Sequence, residues 1–383
     1  MIPYGKQDIN QEDVDSVINV LKSDWLTQGP KVPLFEQALA KLCRVTHGIA
    51  VNSATSALHI ANLALGVGKG DIVWTSPITF VATANSALYC GASIDFVDIE
   101  LHSGNMSVTA LEKKLKWAKQ HNCLPKVVIP VHLAGQSCNM QAIALLAEEY
   151  KFSLIEDASH AVGGQYQGDP VGQCRYSDIT VFSFHPVKII TSAEGGMALT
   201  DDDVLAEKMR LFRSHGITAD HQKMTEANHG PWYYQQVELG FNYRMTELQA
   251  ALGLSQLSRI DEFISKRNQL AKRYDSAFTN ATIISLTPEN NLLSAYHLYL
   301  ILLPEADTQK HKQTIISLRE QGIYAHVHYI PVHLQPYYQQ LGFKLGDFPN
   351  AEQYYQRVIS LPLFPLLKEI EQNYIIETLL ELL

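Results

Sequence analysis

The sequence predicts an α/β fold built on a largely parallel sheet, with a second, smaller α+β unit at its C-terminal end. Three observations predict it. Short apolar runs alternate with amphipathic helical stretches up to about residue 245, the arrangement of parallel strands joined by crossover helices. Beyond that point the alternation stops and a different texture begins. Hydrophobic residues make up 46% of the 383 and charged residues 18%, enough apolar surface for a large buried core and unlike a disordered chain.

Two helices precede the alternation. Residues 11–22 place Val14, Val17, Ile18 and Leu21 at helical spacing behind a candidate N-cap, Asn10, and residues 32–42 form the second helix. Seven strands are expected, over 48–51, 72–75, 93–97, 126–131, 153–156, 179–184 and 196–200. Helices are expected between most of them, at 55–65, 79–89, 107–121 and 139–149. Only a short loop separates the last two strands. Gly66-Val67-Gly68-Lys69-Gly70 resembles a phosphate loop, but it follows a helix and precedes a strand, so it reads as a helix stop. Residues 216–237 are polar, Gly- and His-rich and too long for a tight turn, as functional loops often are. A long helical stretch over 246–274 leads to strands near 296–303 and 323–329 and helices near 307–320 and 366–382. These patterns divide the chain into a large domain, 1–245, with an N-terminal helical segment, and a connector helix with a small domain, 246–383.

A formal net charge of −9 supplies no basic face for releasing counterions from nucleic acid, so no nucleic-acid partner is expected. Cys43, Cys90, Cys123, Cys138 and Cys174 are odd in number and lack CxxC spacing, which fits reduced thiols in a cytosolic enzyme. The first residues have neither the basic nor the apolar region of a signal peptide, and no apolar run nears the roughly 20 residues of a membrane span. A cytoplasmic protein with no membrane partner is the expectation. His326, His328 and His333 are a weak metal signal, with no carboxylate or thiol nearby in sequence, and no metal is expected.

Ligands of an open parallel sheet gather at the carboxyl ends of its strands. After the first strand come Asn52-Ser53-Ala54-Thr55-Ser56 and a helix. Such a turn can offer N–H groups and hydroxyls to a phosphate, or it can be a plain N-cap. The strand at 153–156 runs into Asp157. An aspartate there can pair with the protonated ring nitrogen of pyridoxal 5′-phosphate (PLP), although acidic residues after strands are common. The strand at 179–184 runs into His185-Pro186-Val187-Lys188. A lysine in an apolar, hydroxylated segment can be desolvated, which lowers its pKa and frees the amine to attack an aldehyde; most lysines are surface groups instead. A phosphate turn, an aspartate and a lysine at three such places fit one cofactor, PLP, through its phosphate, ring nitrogen and aldehyde carbon.

The segments LTQGP (26–30), NSATSALH (52–59), SPITFVATANS (76–86), PVHLAGQ (130–136), EDASHAVGG (156–164), SFHPVKIITSAEGG (183–196), LGFNYRMTELQAALGLSQL (239–257) and HVHYIPVHLQPYY (326–338) carry a resemblance. From residue 4 to about 365 the chain resembles the DegT-type sugar-nucleotide aminotransferases, a family of fold-type-I PLP enzymes. Within that family it is most similar to the 4-aminotransferases of pseudaminic acid biosynthesis. The resemblance implies a fold-type-I PLP-dependent transferase with a mostly parallel seven-stranded sheet in its large domain. It also implies L-glutamate as amino donor and a UDP-linked 4-keto-6-deoxy-N-acetylhexosamine as acceptor.

By position, the resemblance makes Lys188 the lysine that carries PLP and Asp157 the partner of the ring nitrogen, both catalytic. Ala54, Thr55 and Ser183 fall at phosphate-pocket positions, and Phe80 at that of the aromatic stacked on the ring. Asn242 matches a phosphate contact supplied by the other subunit of a homodimer with shared active sites. His160 stands where many relatives carry glutamine beside the ring hydroxyl. Tyr4, Trp25, Thr27, Gln28, His328 and Tyr329 fall in segments that line the sugar-nucleotide site. Arg244 meets either a substrate carboxylate or a structural ion-pair partner.

Other readings compete. PLP-dependent sugar dehydratases of this fold that deoxygenate C3 carry histidine in place of the lysine, so Lys188 opposes that activity. The sugar-site segments oppose an amino-acid aminotransferase. A non-catalytic PLP-binding sensor would add a further domain, whereas the enzyme itself takes up the 383 residues. A GDP- or dTDP-linked keto-sugar stays open as the acceptor.

Overall fold

In the computed structural model, which describes residues 1–286 and 292–383, seven strands form the central sheet. They are β1 (His47–Val51), β2 (Ile72–Thr75), β3 (Ser93–Phe96), β4 (Val127–Ile129), β5 (Ser153–Asp157), β6 (Ile179–Ser183) and β7 (Gly196–Thr200), standing in the order β1-β7-β6-β5-β4-β2-β3. All seven lie where the apolar runs place them. The strands β2 to β6 pair in parallel, while β7 runs antiparallel to both β1 and β6. The reversal follows from the connection: the loop 184–195 holds no helix to carry the chain back for a parallel pairing.

Both faces of the sheet are covered. Val181 and Ala198 join one apolar cluster, and their neighbours Phe182 and Met197 join another on the opposite face. Every residue of β4, β6 and β7 is buried, which is why these strands read as unbroken apolar runs. The helices are α1 (Gln11–Leu21), α2 (Lys31–Cys43), α3 (Ala54–Ala64), α4 (Val81–Tyr89), α5 (Val108–Gln120), α6 (Met140–Tyr150), α7 (Asp203–Arg213), α8 (Glu247–Leu257) and α9 (Ile260–Phe278). Gly66, at φ +74°, ends the turn after α3 as a helix stop should.

Helix α1 has its Asn10 cap, closed into a capping box with Asp13, but its apolar stripe faces outward. Val14, Ile18 and Leu21 are 40%, 37% and 58% exposed, while Val20 and Asp13 face in. Asp13 sets this rotation. Its buried carboxylate accepts hydrogen bonds from Arg259 (2.7 Å), Gln256 (2.7 Å) and Ser255 (2.6 Å), and a charge removed from water needs such partners.

The expected helical stretch at 246–274 is two helices, α8 and α9, broken at Ser258-Arg259. Helix α9 passes from one core to another: Phe263 and Ile264 pack in the cluster beneath α2, and Leu270, Tyr274 and Phe278 in the C-terminal cluster. The C-terminal part of the chain forms an antiparallel sheet of Ile284–Ser285, Tyr299–Leu302 and Val358–Leu361, with helices Thr308–Glu320 and Glu369–Leu382. The segment 323–329, expected as a strand, is irregular. Single bridges tie Ile323 to Ile2 and His326 to Ser360, and the ladder position belongs to Val358–Leu361. The loop 216–237 contains a short hairpin, Ile217–Thr218 with Gln235–Gln236, and exposes Trp232. Among the described residues no helix is long and apolar enough to cross a membrane.

Gly196 pairs with Val51 on one side and Ser183 on the other, and a Cβ added to it would lie 2.5 Å from the backbone nitrogen of Ala54. Gly196→Ala should push the start of α3 off the sheet, at a cost of about 1–3 kcal/mol. Gly68→Ala, whose Cβ would meet nothing within 4 Å, is the control. Thermal unfolding should show a lower Tm for the first variant and little change for the second.

Candidate active site

The carboxyl ends of β1, β5 and β6 open on a cavity of about 540 Å³. Lys188, Asp157, His160, Ser183, Ala54 and Thr55 line it, as do Phe80, Tyr4, His328 and Tyr329. These ten expected residues therefore meet in one place.

Lys188 lies in the loop after β6, with its Nζ 3.4 Å from Nε2 of His297. Burial pulls the amine down to a pKa of about 8, against the opposing pull of the Asp157 charge. Asp157 closes β5. Its Oδ1 accepts from the N–H (3.2 Å) and hydroxyl (2.6 Å) of Ser159, and its Oδ2 from the Thr83 hydroxyl (2.7 Å). Because Thr83 spends its proton on Asp157, the 2.7 Å contact between Thr79 and Thr83 is donated by Thr79. The carboxylate is thus clamped from the turn after β5 and from α4. Glu156, one residue earlier, faces the other side of the strand and pairs with buried His132 at 2.7 Å.

At the start of α3 the Ser53 hydroxyl is used as a cap, accepting from the N–H of Ser56 at 3.2 Å. Ala54 and Thr55 follow it in the first turn, where N–H groups lack intrahelical acceptors and the helix dipole favours an anion. Phe80, 60% exposed, stands at the start of α4 with its ring 6.3 Å from that of Tyr329.

Three imidazoles surround the amine side of the cavity. Burial first, and then the Lys188 charge, holds His160 and His297 well below the ordinary histidine range, and burial takes His328 to about 3. All three are neutral at pH 7. His160 Nδ1 accepts from the backbone N–H of Ala134 at 3.2 Å, and its Nε2 lies 3.0 Å from the Tyr329 hydroxyl. His328 bonds the Ser360 hydroxyl at 2.7 Å.

Four expected residues are not brought in by a single chain. Trp25, Thr27 and Gln28 are exposed outside the cavity. Asn242 is also exposed, fastened through its backbone to Asn52 and Ser214 beside the end of β1. Among the described residues Arg244 has no carboxylate partner, and its buried Nε has no acceptor. No group of three His, Cys, Asp or Glu among them is placed to hold a metal; His333 instead pairs with Glu352 at 2.9 Å.

The sequence reading missed Thr83, Ser159 and His297. Ser159 had a signal, since an aspartate commonly accepts from the residue two positions on. Thr83 had a fainter one, four residues after Thr79 on one helix face. His297 had none, lying 109 residues from Lys188 in the chain.

The donor set fits PLP: a desolvated amine for the aldehyde, a clamped carboxylate for the ring nitrogen and a helix start for the phosphate. Two outcomes follow. In PLP-free protein, amine labelling of Lys188 followed by peptide mass spectrometry should rise with a midpoint near pH 8, protonated below and reactive above. Ordinary lysines titrate at about 10.4. Asp157→Asn should keep PLP, seen by its near-visible band and borohydride fixation to Lys188, yet lose most turnover, because an amide cannot hold a proton on the ring nitrogen.

Comparisons with known proteins agree with this geometry. Residues 7–380 match the DegT/DnrJ/EryC1/StrS aminotransferase family. The chain is 38% identical over 387 residues to the UDP-4-amino-4,6-dideoxy-N-acetyl-beta-L-altrosamine transaminase of Campylobacter jejuni, covering 100% of this chain and 98% of that one. Its fold matches Helicobacter pylori PseC, an aminotransferase involved in the biosynthesis of pseudoaminic acid, with a TM-score of 0.91 at 36% identity, over 100% and 98% of the two chains. It also matches the PLP-form of the putative sugar aminotransferase Spr1654 from Streptococcus pneumoniae, with a TM-score of 0.91 at 30% identity, over 100% and 98%. Matched over nearly its whole length in sequence and in fold, the chain belongs to the DegT/DnrJ/EryC1/StrS aminotransferase family and is a PLP-dependent aminotransferase.

Proposed function

We propose that the protein moves an amino group from L-glutamate to C4 of a UDP-linked 4-keto-6-deoxy-N-acetylhexosamine, in pseudaminic acid biosynthesis in the cytoplasm. The observation that carries the chemistry is the desolvated Lys188 amine sharing one cavity with Asp157 and the start of α3. The choice of sugar draws on the 38% identity to the Campylobacter jejuni transaminase.

When bound, PLP supplies an electron sink for the pair left behind by a departing α-proton. The residues supply the rest. Asp157, fixed by Ser159 and Thr83, would hold the proton on the ring nitrogen. Ala54, Thr55 and Ser183 would hold the phosphate, keeping the cofactor in place whenever it is detached from Lys188. Phe80 would cover the ring face. The Nζ of Lys188, whose pKa burial lowers to about 8, would take a proton at one carbon and return it at another.

The same proposal includes a homodimer. Val14, Ile18, Leu21, Trp25 and Leu26 form an exposed apolar run that a second copy would cover. A twofold partner would also give the exposed Trp25, Thr27, Gln28 and Asn242 a cavity to complete.

Two measurements test this. Glutamate plus the UDP-linked 4-keto-sugar should yield 2-oxoglutarate and a 4-amino sugar in equal amounts; turnover of only GDP- or dTDP-linked keto-sugars would overturn the acceptor. Lys188→Ala and Asn242→Asp, each inactive alone, should recover about a quarter of wild-type activity when unfolded together and refolded, since half the dimers are mixed and half their sites intact. No recovery, with mixed dimers confirmed, would place Asn242 outside the partner's site.

A further inference from the structure

We propose that Tyr329 donates a hydrogen bond from its phenol into the cavity, to a reactant oxygen that carries or gains negative charge, and that His160 fixes the direction of that bond. The N–H of Ala134 can only donate, and it points at Nδ1 of His160 at 3.2 Å. Nδ1 must therefore present its lone pair. A neutral imidazole with an unprotonated Nδ1 carries its hydrogen on Nε2, and Nε2 lies 3.0 Å from the Tyr329 oxygen. His160 donates and Tyr329 accepts. The reverse arrangement would set an Nδ1–H against the Ala134 N–H. A doubly protonated ring would do the same, and burial beside Lys188 and His328 already disfavours it.

With its oxygen accepting from His160, Tyr329 has one hydrogen left to give. His160 is its only hydrogen-bond partner among the described residues, and both side chains line the Lys188 cavity. Burial, with the nearby Asp157 charge, pushes the phenol pKa upward, so the hydrogen stays on the oxygen. The result is a one-way relay, Ala134 N–H to His160 to Tyr329, ending in a donor aimed at the space where the reactants meet. Accepting a bond strengthens the hydroxyl as a donor. Two oxygens have the required chemistry: the hydroxyl of the PLP ring and the keto oxygen that the acceptor loses. Glutamine could also serve at position 160, since a side-chain amide both accepts and donates.

The proposal rests on the aminotransferase reading of the cavity but on no particular sugar, and its first test needs neither. In PLP-free protein carrying 15N-histidine, with the His160 signal assigned by its loss in His160→Gln, His160 should be the neutral Nε2–H tautomer from pH 6 to 8. An Nδ1–H tautomer or a protonated ring at pH 7 overturns the relay. In the loaded enzyme, Tyr329→Phe should keep PLP on Lys188 and lower kcat by about 10- to 100-fold, the range for losing a bond to a charged acceptor, with KM little changed. A shifted PLP absorption band and weaker PLP binding would assign the donor to the ring hydroxyl. An unchanged band, a normal glutamate half-reaction and a slow keto half-reaction would assign it to the keto oxygen. If neither half-reaction nor the band changes, Tyr329 is not a donor. His160→Leu should match Tyr329→Phe, with the double variant no worse than either, and His160→Gln should regain at least about ten-fold over His160→Leu. A glutamine variant as slow as leucine would reduce His160 to packing. Should no keto-sugar react with the wild type, the acceptor assignment fails while the tautomer and the band still decide the relay.

Discussion

Gly196 lies between Val51 and Ser183 in the sheet, and the chain at Ser53-Ala54 crosses it so closely that no side chain fits between them. This contact places the first turn of α3 over the end of β6, and with it the anion-binding end of a helix next to the loop that carries Lys188. The contact exists because β7 is inserted backwards between two strands that are parallel to each other. Had the chain after β6 crossed over through a helix, the loop 184–195 would not turn back at the mouth of the cavity. One short connection therefore positions the amine and the phosphate site together.

Around that arrangement, charge is handled by position along a strand. Glu156 and Asp157 are neighbours, but alternation sends them to opposite faces of β5. Glu156 is absorbed into the interior by His132, Ser177 and Thr180. Asp157 faces the cavity and takes its three hydrogen bonds from Ser159 and Thr83. On the opposite side, three buried imidazoles stay neutral near a lysine whose charge is already costly. The charged groups lining the cavity are thus the Asp157 carboxylate, the Lys188 amine and the Glu194 carboxylate.

The seven-stranded sheet was legible because strands covered on both faces leave continuous apolar runs, and Asp157 and Lys188 stood out because each comes at or just after the end of such a run. Where the reading failed, a local pattern was outvoted by a distant contact. The alternating segment 323–329 looks like a strand, yet its backbone is divided between Ile2 and Ser360. The helix behind Asn10 forms as its spacing indicates, but that spacing does not say which way Val14, Ile18 and Leu21 face, and they face outward while the Asp13 carboxylate is buried. Trp25, Thr27, Gln28 and Asn242 could be singled out only through resemblance, since nothing in a single chain gathers them. His297 reaches Lys188 across 109 residues of chain, which no spacing rule encodes.

Helix α9 gives that last residue its coordinates. Its first turns pack in the cluster beneath α2 and its later turns in the C-terminal cluster, and Arg267 sits between, 1% exposed. From there the guanidinium donates to the carbonyls of Tyr296, His297 and Leu363. The backbone on either side of His297 is thereby fixed from a helix that is itself packed at both ends. A one-residue change in the length of α9 would turn the face that carries Leu270, Tyr274 and Phe278 by about 100° relative to Phe263 and Ile264, so that both could not stay packed at once. The tolerance of this enzyme to insertions is set by where they fall relative to α9 rather than by how many residues they add.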